Sequence, residues 1–365
     1  MIKHFLHSAG TNLIIVCISI ILGIINARVL QAEGKGTVAV YMSVYSIIYA
    51  LTNLGVRQSS SYYFSKENMD IRDILGVHAI SIFLGFFITT TSLLLIFFYL
   101  EILNINIFVC FVFIVPLALY TTYTTSFALS NKWIERLNKT KLINPLSFFV
   151  GLLFFYFIID KKTVESYFFS QLFAYFITAV YVYSWARKID KYSYRLEDFK
   201  RLWNNSKKII LKGITYALPL FIYGINYKVD ILILNNLPTI SKSDIGVYSL
   251  GVVFAEMIWQ IPAILSMIIF SYSVSNKKER EFSNDIWLKN KKIMLVLIPI
   301  LIIYALAAKF FIPILFGNDF LNSYLITFLL LPGTYAIVSF NLLNADLAAR
   351  GYPSVALIIF LFLLL

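Results

Sequence analysis

The sequence is short of everything that lets a chain dissolve in water. Only 19 of its 365 residues are Asp or Glu, and all charged residues together make up 14%, against about 25% in a soluble domain. It carries two cysteines and three histidines. Cys17 and Cys110 each fall inside an apolar run, so no disulfide framework is implied. His4, His7 and His78 are scattered without metal-ligand spacing. No phosphate-cradling glycine loop and no dinucleotide turn occur, and no loop is large enough to house a soluble catalytic domain. No cofactor and no metal are expected.

What the chain has is hydrocarbon. Apolar residues are 59% of it and the mean hydropathy is +0.79. Runs of about 20 apolar residues, enough to cross ~30 Å of bilayer core, recur throughout. They read as spans at Gly10–Val29, Thr37–Phe64, Leu75–Leu100, Ile105–Asn131, Leu142–Ile159 and Val164–Trp185. Four more follow at Ile209–Leu237, Ile245–Val274, Ile293–Phe311 and Tyr324–Asn344, and an eleventh begins near Val355. Hydrocarbon offers the backbone no hydrogen-bond partners, so the spans must be helices and the expected class is all-α.

The basic residues set an orientation. With the N-terminus in the cytoplasm, 24 of the 31 Lys and Arg fall on the cytoplasmic side and 7 on the other, as positive-inside sorting requires. Trp133, Trp185, Trp203 and Trp287 lie in or beside the cytoplasmic loops, where interfacial anchors belong. The net charge of +12 is accounted for by this sorting and calls for no nucleic acid.

The chain is built twice. Ser126–Asn131 (SFALSN) returns as Ser339–Asn344 (SFNLLN), 213 residues later. A basic residue follows each copy (Arg136, Arg350), then a turn and a further apolar run. Gly36–Tyr41 and Gly246–Tyr248 are related by about the same offset. The expected organisation is a six-helix bundle at 1–186, a cytoplasmic amphipathic linker at 187–208, and a second bundle at 209–365, the two related by a pseudo-twofold. On that pairing the second bundle stops one span short, as in a truncated chain.

Polar side chains inside the spans fall on helical faces. Asn12, Ser19 and Asn26 share one stripe of the first span, and Ser46, Asn53, Arg57 and Ser60 share one of the second. The seventh carries Tyr216, Tyr223, Asn226 and Asp230, with Pro219 expected to interrupt the helix. The eighth has Glu256 and Gln260, and the tenth Asn341 and Asn344, with Asp346 just beyond. Two readings of the neutral residues stand open: the lining of a wet cavity, or interhelical hydrogen bonds worth ~0.6 kcal/mol each. The charges are costlier to bury. Arg57 either lines a cavity or snorkels to the cytoplasm; Asp230 needs a wet cavity or an ion pair, Arg28 being one partner. Guanidinium forks suit phosphate oxygens, and embedded carboxylates such as Asp230 and Glu256 suit coupling to H⁺ or Na⁺, or neutralisation of the arginines.

The opening, NARVLQAEGKGTVAVYMSVYSIIYALTNLGVRQSSSYYFSK, resembles that of bacterial oligosaccharide flippases, the O-antigen and capsular repeat-unit exporters of the multidrug/oligosaccharidyl-lipid/polysaccharide superfamily. Arg28, an acidic-Gly loop at Glu33–Gly36, Tyr41 and Leu54–Gly55 carry the likeness. In the second half LKGITYALPLFIYGINYKVDILIL and DIGVYSLG (Asp244–Gly251) agree with it. The resemblance implies a transporter, not an enzyme, that moves a polyprenyl-diphosphate-linked oligosaccharide from the cytoplasmic to the outer leaflet by alternating access. It implies Arg28 and Arg57 at the diphosphate and Asp230 as a cavity acid. Asn26, Asn53, Tyr223, Asn226 and Asn341 complete the expected cavity set. The resemblance implies the lipid-linked glycan and membrane lipids as partners and a monomer of the bacterial inner membrane; H⁺ or Na⁺ and the polysaccharide polymerase machinery are further candidate partners. A cation-coupled multidrug antiporter of the same superfamily is the alternative. A membrane-embedded polymerase or ligase is disfavoured by the short outer loops.

Overall fold

The computed structural model describes residues 2–66, 69–131, 133–187, 199–258 and 279–350, together with positions 262, 265, 266, 269, 272 and 273. Among them the chain is helical, with no strand. The elements are α1 (Ile2–Asn53), α2 (Val56–Lys66), α3 (Ile71–Tyr99), α4 (Ile105–Ser130) and α5 (Ile134–Leu153), which runs into a π-helical turn at Phe154–Ile158. Then come α6 (Val164–Ala186), α7 (Phe199–Asn226), α8 (Val229–Asn236), α9 (Lys242–Met257), α10 (Glu279–Phe316) and α11 (Ser323–Ala349). Among the described residues, six helical stretches are long and apolar enough to cross a membrane. The protein is an all-α, multi-pass membrane protein, as the run lengths required. The eleventh expected span, Gln260 and linker residues 188–198 lie outside the described residues.

Several boundaries depart from the sequence reading. The acidic-Gly loop at Glu33–Gly36 is helical: a single residue, Gln31 (φ 57°), kinks α1 between the first and second spans. The second span is itself broken. Leu54 and Gly55 both take left-handed backbone (φ 49° and 61°), which ends α1 as a helix C-terminus usually ends, and α2 starts afresh. Pro219 does not interrupt its helix. Neighbouring groups can re-satisfy what a membrane proline frees, and α7 runs on to Asn226 before breaking at Tyr227–Lys228. The basic stretches at 134–141 and 279–292 open the helices α5 and α10. There, i,i+4 pairs (Glu135–Lys139 and Asp285–Lys289, both 2.7 Å) sit on the helix surface.

The chain forms two compact units that do not follow chain order. The first comprises residues 1–23 and 40–232, the second 24–39 and 233–365. The core of the first is aromatic: Tyr41 packs edge-on against Phe97 (5.2 Å) and Phe168 (5.7 Å), and Phe111 against Phe168 (5.0 Å), joining α1, α3, α4 and α6. Trp133 and Trp185 meet edge-to-face with Arg136 over both rings; Trp185 is buried there, whereas Trp203 and Trp287 are exposed. In the second unit Ala27 and Ala32 of α1 pack among Leu250, Phe254, Ala308, Ile312 and Phe316.

Candidate functional site

In the first unit, the break at Leu54–Gly55 gathers polar groups inside an apolar bundle. It is made possible by a close crossing. A Cβ on Gly55 would run into the carbonyl of Gly213 in α7, and one on Gly213 into the carbonyl of Leu54. Ending α1 here frees the last carbonyls of that helix, and the Tyr123 hydroxyl of α4 donates to those of Thr52 (3.2 Å) and Asn53 (3.0 Å). Beside it His78 of α3, fully enclosed, bonds Ser60 through Nε2 at 3.0 Å and faces the rings of Tyr123 and Phe127.

Arg57 stands on the second residue of α2. Its Nε and the Oδ1 of Asn53 are buried without hydrogen-bond partners. The N-terminal end of a half-helix adds positive potential to that guanidinium, so both features favour an anion. Tyr49 is the electrostatic neighbour of Arg57 and bonds Thr122 at 2.7 Å, while Tyr45 bonds Tyr175 at 2.9 Å. Sequence reasoning passed over this tyrosine array. Its signal was there: Tyr41, Tyr45, Tyr49 and Asn53 recur every four residues, close to one helical face.

The seventh expected span is also broken, and two more site residues flank the break. Asn226 ends α7, and Asp230 lies in the first turn of α8, its Oδ1 accepting the Ile231 N–H at 2.8 Å. A carboxylate in a first turn is stabilised by the helix dipole. The side chain of Tyr223 lies outside the described residues. Thus Asn53, Arg57, Asn226 and Asp230 fall in the first unit, at two helix breaks.

The remaining expected residues fall in the second unit. Arg28 is committed to a helix end: its guanidinium donates to the carbonyls of Leu315 (3.0 Å) and Ile314 (2.5 Å), the last turn of α10. A cation there satisfies orphan carbonyls and the negative end of the dipole together. Asn26 is buried (4% exposed) two residues earlier. Glu256 is part-buried near the end of α9, and Asn341 part-buried in α11, where its carbonyl accepts the Ser266 hydroxyl at 3.0 Å. Near the end of α11, Asp346 pairs with Arg350 (3.1 Å) and accepts the hydroxyls of Ser273 (2.7 Å) and Ser283 (2.6 Å).

Broken membrane helices with polar groups at the breaks are a transporter device, and the comparisons agree in fold. A mutant of the Vibrio cholerae MATE transporter VcmN is similar at a TM-score of 0.66 and 11% identity, over 99% of this chain and 86% of that one. The eukaryotic MATE transporter AtDTX14 is similar at a TM-score of 0.55 and 14% identity, over 98% and 85%. No curated protein matches. A family model described as polysaccharide biosynthesis protein matches residues 2–271. With that match covering most of a chain of membrane-spanning helices, the chain belongs to the polysaccharide biosynthesis protein family.

Proposed function

We propose that the chain carries a polyprenyl-diphosphate-linked oligosaccharide repeat unit from the cytoplasmic to the outer leaflet by alternating access, for surface polysaccharide. The observation that carries this reading is the half-helix α2: a positive N-terminal end, Arg57 with its unpartnered Nε, and Asn53 with its unpartnered Oδ1. An oxyanion meets the first two and a sugar hydroxyl the third. The hydroxyls of Tyr49, Thr122 and Tyr45 suit the same glycan. On this reading the protein is a transporter rather than an enzyme, a monomer in the bacterial inner membrane with its N-terminus in the cytoplasm, working beside the polymerase machinery. Asp230 and Glu256 are the acids for coupling to H⁺ or Na⁺. Arg28 holds α10, so the first charge for the diphosphate falls to Arg57.

The test is surface polysaccharide in a deletion strain. Arg57→Ala abolishes export or cuts it by roughly tenfold, the effect of about 1.4 kcal/mol. Arg57→Lys restores it in part, because the charge stays while the fork is lost. Arg28→Ala lowers the amount of folded protein rather than export per molecule. Full export by Arg57→Ala overturns the reading.

The second reading, a cation-coupled multidrug antiporter, is favoured by the fold shared with two MATE transporters. It predicts ion-dependent efflux of organic cations that needs Asp230 or Glu256. Drug sensitivity of the deletion strain separates the two.

A further inference from the structure

One face of α10 borders a cleft along most of its length. Ile293, Val296, Leu297, Ile300, Leu301 and Tyr304 recur at intervals of three and four residues, a single helical stripe, and line a cavity of about 560 Å³. Toward the start of α10 a second cavity of about 430 Å³ lies against Phe282, Ile286 and Lys289. Leu265, Ile293 and Leu342 border both, so the two are one trough within the second unit. From Phe282 to Tyr304 it follows about 33 Å of helix at 1.5 Å per residue, close to the ~30 Å of a bilayer core.

The two ends differ in chemistry. Beyond Ile293 the α10 stripe is hydrocarbon except for the Tyr304 hydroxyl, which is already committed to the Phe254 carbonyl at 2.8 Å. The mouth carries Lys289, Lys292 and Asn290. Lys289 pairs with Asp285, but both side chains are at least half exposed, and such pairs are worth no more than about 1 kcal/mol, so a stronger anion can displace the carboxylate. Asn290 is 4% exposed; its Nδ2 donates to Ser339 at 2.8 Å while its Oδ1 is buried without a partner. Two cations beside an unmet acceptor match a head group that offers oxyanions and hydroxyls together. A single trough that follows one helix suits one long tail rather than two.

We propose that the α10 trough holds the isoprenoid chain of a lipid-linked glycan, with its diphosphate at Lys292 and Lys289 and a sugar hydroxyl at Asn290. This rests on the flippase reading and adds a second station for the same lipid, one in which the tail lies in the trough and the diphosphate at the two lysines rather than at Arg57.

The test is native mass spectrometry of the detergent-purified full chain titrated with a long-chain polyprenyl diphosphate, with phosphatidylglycerol as the two-tailed anionic competitor. Val296 is 60% exposed, so a larger side chain fills the trough without crowding the core. Val296→Trp and Ile300→Trp each weaken polyprenyl diphosphate binding by roughly tenfold, and Lys292→Glu weakens it too. Ile303→Trp, 65% exposed and off the trough, leaves it unchanged. Wild-type affinity in both trough-filling variants overturns the proposal, as does phosphatidylglycerol competing on equal terms; in those cases the flippase reading survives. A wild-type protein that binds no polyprenyl diphosphate overturns both.

Discussion

Gly36 and Gly246, related by the offset of the internal repeat, touch each other. A Cβ on Gly36 would run into the carbonyl of Lys242, four residues before Gly246, and a Cβ on Gly246 into that of Ala32, four residues before Gly36. The contact is reciprocal, as across a local two-fold axis, and it is backbone on backbone. Gly36→Ala and Gly246→Ala therefore each cost about 1–3 kcal/mol or more, the range for overpacking. Gly333→Ala, at a position with nothing within 4 Å, is neutral or stabilising by about 0.5–1 kcal/mol, because alanine is the better helix former. Thermal unfolding of the three purified variants checks the contrast.

Tyr123 holds the end of α1 through one hydroxyl. Tyr123→Phe leaves the Thr52 and Asn53 carbonyls unmet in a buried place and is expected to cost about 1–3 kcal/mol. Tyr49→Phe breaks a single interhelical bond to Thr122 and costs ~0.6 kcal/mol. Melting temperatures in one detergent order the two, and an equal loss would count against the role given to Tyr123.

Asp346 and Arg350 form an ion pair whose side chains are only 8% and 10% exposed. Removing one partner strands a buried charge, so Asp346→Ala loses about 3–5 kcal/mol. The pair replaced together, Asp346→Ala with Arg350→Met, recovers most of that loss. A double-mutant cycle on folded yield and unfolding temperature measures the coupling.

The helix α9 opens with a capping box in which the Ser241 hydroxyl and backbone N–H (2.9 Å) both bond the Asp244 carboxylate. The Ser241 hydroxyl, then its N–H, hold Asp244 below the usual carboxylate range. A folded pKa below the unfolded one gives stability that is present above the ordinary value of 3.8 and lost as pH falls through the folded pKa. Asp244→Asn is therefore less stable than wild type at neutral pH, and the gap closes on acidification. Unfolding temperatures at a series of pH values show it.

The spans were legible because bilayer thickness makes run length diagnostic, and α3, α4 and α6 lie within a few residues of where the runs put them. The breaks were not. Glycine inside an apolar run is ordinary in membrane helices, and Gly55 marks a break only because Gly213, in a distant part of the sequence, crosses it there. The same holds for the charges. Arg57 and Asp230 read as embedded, yet nothing local says that each begins a half-helix. Arg28 read as a cation for the diphosphate or for Asp230 because its acceptors, the carbonyls of Ile314 and Leu315, belong to every sequence alike. The faint signal was the end of α10 itself, which closes on Gly317 with no basic residue in its last turn.

Residues 24–39 belong to the second unit although they are made long before the rest of it, and Arg28 meets its acceptor 287 residues downstream. At roughly 5–20 residues per second, the ribosome needs on the order of 15–60 s to deliver that acceptor. For that interval the Arg28 guanidinium and Gly36 sit in the nascent membrane protein without the carbonyls and the glycine they meet in the finished fold. The second unit therefore cannot close until an early segment and a late one are both made, which ties its completion to synthesis of α10.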